Sequence, residues 1–184
     1  MLSENDQSLL EVSEGGDAEG VKRLLKAGAN PLAKDGGGMT ALMRAAQGCS
    51  AECVRELLPV SDALAVNNDG YTALMRAAYS GSAECVRELL PVSGALAVNN
   101  DGWSALMWAA LSCSAECVRE LLPESEALAV NSKGETAFDL AQGSGHQEIA
   151  GLLWVSEEAQ VLRNAIGRLG ESRKSGALRH SPRL

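Results

Sequence analysis

The stretch GYTALMRAAYSGSAECVRELLPVSGALAVNND, Gly70 to Asp101, recurs almost unchanged on either side of itself. Gly38, Gly70, Gly102 and Gly134 stand 32 residues apart, three intervals without insertion or gap. Aligned on those glycines, residues 38–69 differ from 70–101 at five positions, and 70–101 differ from 102–133 at nine. A fixed period of this length marks a solenoid, whose supersecondary units bury their apolar faces only against one another.

Within one unit, Thr72 is a good helix N-cap, because its hydroxyl accepts an unpaired N–H of the first turn. Leu74, Ala77 and Ala78 then share one helical face, and the small alanines let a second helix approach closely. Ser80-Gly81-Ser82 breaks this helix, and Ser82 caps the next, expected from Ala83 to about Leu90. Its apolar stripe is Cys85, Val86, Leu89 and Leu90, with Glu84, Arg87 and Glu88 turned to water. Pro91 stops it, since a helix interior has no place for a residue without an N–H. Val92 to Asn100 reads as an extended connection. Asn99-Asn100-Asp101-Gly102 supplies residues that tolerate left-handed backbone at a tight turn. Two antiparallel helices and a projecting loop make one unit.

This pattern resembles the ankyrin repeat. The family's G-x-T-P-L-H-x-A-A core stands here as Gly70-Tyr71-Thr72-Ala73-Leu74-Met75-Arg76-Ala77-Ala78, and its G-H-x-E-V-V-x-L-L segment as Gly81 to Leu90. The resemblance covers roughly residues 5 to 155. It implies an all-α solenoid of stacked helix-turn-helix units with projecting hairpin-like loops, and a role in binding protein partners without catalysis. Three departures stand out. The units are one residue shorter than the usual 33, Met43, Met75 and Met107 replace the family histidine, and Cys49 and Cys113 replace the glycine after the first helix. A non-glycine residue at positive φ there costs about 1 kcal/mol.

Taken in order, residues 5–37 read as an N-terminal capping unit, with helices over Asp6–Glu14 and Ala18–Lys26. Leu9 and Leu10 point inward, with Val12 as a further candidate. Units 38–69, 70–101 and 102–133 follow, and the more polar 134–155 closes a repeat domain spanning 1–155. Residues 156–169 suggest one more helix, N-capped by Ser156, with Ala159, Leu162, Ile166 and Leu169 on one stripe. It either closes the exposed end of the stack or serves as an amphipathic partner- or membrane-binding helix. Residues 170–184 read as a basic, disordered tail.

Composition narrows the function classes. Residues 1–162 hold 10 Lys+Arg against 23 Asp+Glu, and 163–184 hold six against one. An acidic body disfavours nucleic acid through phosphate repulsion. The basic tail is solvated, binds an acidic surface, or folds back on its own repeats. No apolar run approaches the ~20 residues needed to span a bilayer, and no secretory signal is visible, so a cytoplasmic, monomeric protein is expected, with the nucleus as a second compartment. Cys53, Cys85 and Cys117 recur at one buried position and read as reduced structural thiols. Neither cysteine pair at i,i+4 has a third ligand, so no metal or cofactor is expected. Of the two histidines, His146 occupies the family's Gly-His turn, where a backbone bond is expected, and His180 lies in the tail. No nucleophile motif, phosphate loop or paired His/carboxylate motif occurs, so no catalytic residue is assigned.

The units differ most at three places on one face. They are Met39, Tyr71 and Trp103 after the glycine, Arg44, Arg76 and Trp108 on the first helix, and Gln47, Tyr79 and Leu111 one turn on. By the resemblance, this face and the loop tips line a concave groove that binds partners. Four of the chain's six aromatic residues fall on it, and Trp, Tyr and Arg dominate interface energetics. The rings either form this groove or stack between units and lengthen the core. Arg44 and Arg76 either await an acidic partner residue or pair with nearby carboxylates. The reading is an adaptor that holds a protein in its groove. The alternative is a regulatory or accessory domain of a larger signalling protein or effector, autoinhibited by its own tail.

Overall fold

The computed structural model describes residues 2–156, together with 158 and 161. These residues form helices α1 (Glu4–Glu14), α2 (Ala18–Lys26), α3 (Ala41–Gln47), α4 (Ala51–Leu57), α5 (Ala73–Tyr79), α6 (Ala83–Leu89), α7 (Ala105–Leu111), α8 (Ala115–Leu121) and α9 (Ala137–Gly143). A tenth, α10, starts at 147 and is helical through 156, with 158 and 161 helical as well. Odd-numbered helices stack in one row, α1 on α3 on α5 on α7 on α9, and α2, α4, α6 and α8 stack in a second row behind it.

Each helix starts where its cap lies. Thr40, Thr72, Ser104 and Thr136 accept a hydrogen bond from the N–H three residues on, and Ser50, Ser82 and Ser114 do the same for the rear row. The first helix begins two residues before the expected Asp6, because Ser3 and Asp6 form a reciprocal capping box. Ser13 is buried below Leu9, whose carbonyl accepts its hydroxyl, while Val12 is only partly covered. Leu90 is likewise only partly buried, since α6 ends at Leu89. Ser156 is itself helical, within α10, rather than the cap of a separate helix. The rest of the expected 156–169 helix, and the 170–184 tail, lie outside the described residues apart from 158 and 161.

The core is the period made solid. Leu42, Leu74 and Leu106, Ala45–Ala46 with its counterparts, and Met43, Met75 and Met107 are buried between the rows. Alanines at the helix contact allow the close approach that a larger side chain forbids. Cys53, Cys85 and Cys117 are buried free thiols. Burial pushes all three thiol pKa values up. Cys49 and Cys113 sit at φ 58° and 59°, where Gly81 takes 72° in the intervening unit.

Candidate protein-binding face

The run Asn99-Asn100-Asp101-Gly102 was expected to supply the left-handed residue of the turn, and the glycine is the one that takes it. At these turns positive φ falls on Gly38, Gly70, Gly102 and Gly134, and not on the Asn or Asp residues before them. The asparagine three residues earlier has a different task. Asn67 is buried, and its Oδ1 accepts the N–H groups of Asp69 (3.1 Å) and Tyr71 (2.8 Å). Asn99 and Asn131 repeat this with Asp101 and Trp103, and with Lys133 and Glu135. Asp35 does so for Gly37 and Met39. Consecutive loops are then joined by backbone bonds, Asn68 N–H to Gly37 O and Asn100 N–H to Asp69 O, both 3.1 Å, and Ser132 N–H to Asp101 O, 2.9 Å. Thus the backbone of the residue after each glycine is fixed by the Asp or Asn of its own loop.

That geometry brings four of the singled-out residues together. Trp103 stacks on Trp108 with ring centroids 4.4 Å apart and planes at 25°. Tyr71 tilts against Trp108 at 5.5 Å, and Tyr79 meets it edge-on at 5.3 Å. The Arg76 guanidinium lies over the Tyr71 ring, 4.2 Å from its centroid. Tyr79 is 55% exposed, while Tyr71, Trp103, Arg76 and Trp108 are partly so. Burial pushes the Tyr71 hydroxyl pKa up. The two expectations for these rings therefore meet: they stack between units, and they still present a surface. Trp108 Nε1 is buried and has no hydrogen-bond acceptor among the described residues.

Other positions stand apart from the cluster. Met39 is a correction: it is 6% exposed, with its Sδ 3.7 Å from Asn67 Nδ2, and belongs to the core beneath the next loop. A thioether against a buried amide is a packing contact, not a docking point. Leu111 is partly buried and packs on the core. Gln47 is partly buried, and its main-chain carbonyl accepts the Ser80 hydroxyl. Arg44 is neutralised within the chain, 2.9 Å from Glu14 and 2.6 Å from Asp35. Burial works to raise the Asp35 pKa, but the bonds from Arg44, Met39 and Gly37 outweigh it and hold the carboxyl below its ordinary value.

The rear row carries no such variation. Arg55 pairs with Glu84 and Glu88 of the next unit, Arg87 with Glu116 and Glu120, and Arg119 with Glu148. At the N-terminal end Lys22 reaches Glu19 and Glu56. Residues expected simply to face water form a ladder between units. His146 lies as expected, its Nδ1 2.9 Å from the Ala110 carbonyl.

The sequence matches the family model for ankyrin repeats (3 copies) over residues 9–100 and again over 92–165. The chain belongs to the ankyrin-repeat family. A search among curated proteins finds no match. Ankyrin repeats are general protein–protein interaction modules and are typically non-catalytic. Among the described residues no helix of this ankyrin-repeat chain is long and apolar enough to cross a membrane, and no cluster of three potential metal ligands occurs.

The Asp or Asn acceptor of each loop was legible as a recurrence, since Asp35, Asn67, Asn99 and Asn131 share the 32-residue period and each precedes its glycine by three. The signal was visible, but its role as an acceptor for two N–H groups was not.

Proposed function

We propose that this ankyrin-repeat chain is a cytoplasmic adaptor that holds a protein segment against the face formed by α3, α5, α7 and their loops. The observation that carries this reading is the ring cluster of Tyr71, Tyr79, Trp103 and Trp108, contributed by two units and left partly uncovered. Aromatic side chains supply large contact area at low entropic cost, and their polar edges take hydrogen bonds at an interface. The rigid loops keep that surface preformed, which lowers the ordering cost of binding. Arg76, Gln47 and Leu111 flank it, whereas Arg44 is taken up by its ion pairs with Glu14 and Asp35 and takes no part in the surface. The chain acts as a monomer, and its acidic repeats favour protein over nucleic acid.

Affinity capture from the native cell tests this, with wild type beside a Trp103→Ala/Trp108→Ala variant matched for helix content. The partner recovered by wild type should be lost from the variant; equal recovery contradicts the reading. One feature favours a second reading, the excess of five positive charges in 163–184 against thirteen negative in 1–162. In that regulatory form the tail occupies the acidic repeats until released. Deleting 170–184 should then strengthen partner binding at low salt, and an unchanged affinity argues against it.

A further inference from the structure

Arg44 and Arg76 occupy the same position in successive units, yet their surroundings differ in charge. Arg44 is clamped by Glu14, the last residue of α1, and by Asp35, the loop acceptor. The residues in those two places around Arg76 are Gln47, the last residue of α3, and Asn67. Glu14 and Gln47 correspond because each is followed by a helix cap, a residue at positive φ and the N-cap of the rear helix. Both carboxylates have become amides.

The Asn67 amide is already committed, its oxygen to two backbone N–H groups and its nitrogen towards the Met39 sulfur. Among the described residues, no carboxylate lies within ion-pair distance of Arg76, whereas Arg44 has two; the Nε of each is buried without a partner, so the difference lies in the outer N–H groups. Its charge rests on the Tyr71 ring, beside the Trp103–Trp108 pair. A guanidinium on an aromatic face keeps its outer N–H groups for a planar carboxylate. Burial is the main cause of the raised Tyr71 pKa, and the Asp69 and Asp101 charges add to it, so an acidic run in a bound segment is disfavoured here.

We infer that the segment bound here presents a single carboxylate to Arg76, with an adjacent apolar or proline side chain laid on the Trp103–Trp108 rings. This rests on the binding-face reading above and specifies its partner chemistry. The ligand class is an extended peptide with one Asp or Glu beside a Leu, Pro or aromatic residue.

The test pans a random 12-residue peptide display library against the full chain and measures the enriched peptides in solution. They should carry the Asp or Glu next to an apolar residue. Arg76→Gln should weaken them roughly tenfold or more, as loss of a charge-assisted pair does. Changing the peptide's own carboxylate to an amide should cost the same factor on wild type and nothing further on Arg76→Gln. The wild-type half of that comparison needs no protein variant to fold. Arg76→Lys should fall between, and Arg44→Gln should leave affinity within about threefold because its charge is met internally. Peptides lost on Trp103→Ala but indifferent to Arg76→Gln and lacking a carboxylate would overturn this inference and leave the binding face standing. Peptides indifferent to both would overturn both. Failure to enrich any peptide also counts against it.

Discussion

The front and rear rows of helices are built from the same 32-residue unit and have been put to opposite uses. On the rear, Arg55, Arg87 and Arg119 sit in register and each reaches a glutamate one unit on. On the front, the corresponding positions change from unit to unit: Arg44, Arg76, Trp108, and Gln47, Tyr79, Leu111. What must be constant for units to stack is constant, and what is spared that duty varies. A solenoid holds each unit by its neighbours alone, so one face can specialise without disturbing register.

The largest effect belongs to the layer both faces share. Leu74 is fully buried between the rows. Leu74→Ala should cost about 2–5 kcal/mol in chemical denaturation, a large part of the stability of a domain this size. A loss comparable to that of a surface substitution would mean that the rows are not packed as described.

Next comes the contrast between the faces. Trp108→Ala should weaken partner binding about 30-fold or more, as truncation of an interface hot spot does, while destabilising less than Leu74→Ala. Arg87→Gln on the rear ladder should leave binding unchanged and lower the melting temperature slightly, with the difference shrinking in high salt. If the rear variant lost binding and the front variant kept it, the assignment of faces would be reversed.

Asp35→Asn sharpens the comparison between Arg44 and Arg76. Asparagine can keep accepting the loop N–H groups, as Asn67 does, but it no longer neutralises Arg44. The Asp35 carboxyl is held below its ordinary pKa in the folded chain. Its contribution to stability is therefore present above about pH 4 and is lost as pH falls through the folded value. Acid unfolding curves of wild type and Asp35→Asn should be separated above about pH 4 and draw together as pH falls through the lowered Asp35 value. Parallel curves at every pH would show that the ion pair contributes nothing.

The cysteines give the smallest effects. Cys49 and Cys113 are exposed, while Cys53, Cys85 and Cys117 are buried with raised thiol pKa values. An aromatic disulfide reagent at neutral pH should titrate two thiols in the folded chain and five after unfolding. Cys49→Gly, by relieving φ 58°, should stabilise by about 0.5–1 kcal/mol, net of the added freedom of the unfolded chain.

Most of the fold was legible because the period is unbroken and every cap residue recurs with it. Thr72 and Ser82 marked both helix starts, and Pro91 marked the stop within a residue. The site was only half legible. Variation among copies pointed to Tyr71, Tyr79, Trp103 and Trp108, but it flagged Met39 equally, since a list of differences carries no direction in space. Likewise Arg44 and Arg76 are the same letter in the same place. Their difference lies in Glu14 against Gln47 and Asp35 against Asn67, the two carboxylates standing 30 and 9 positions before Arg44. Reading that demands the register of the helix in front, which the irregular first unit hides.

The central claim is that binding resides on the front rings and not on the rear ladder. Titration calorimetry of the captured partner against two double variants tests it, Trp103→Ala/Trp108→Ala on the front and Arg55→Gln/Arg87→Gln on the rear. With helix content confirmed for both, the front variant should show no measurable heat of binding and the rear variant the wild-type affinity. Retained binding by the front variant, or its loss from the rear one alone, would contradict the account.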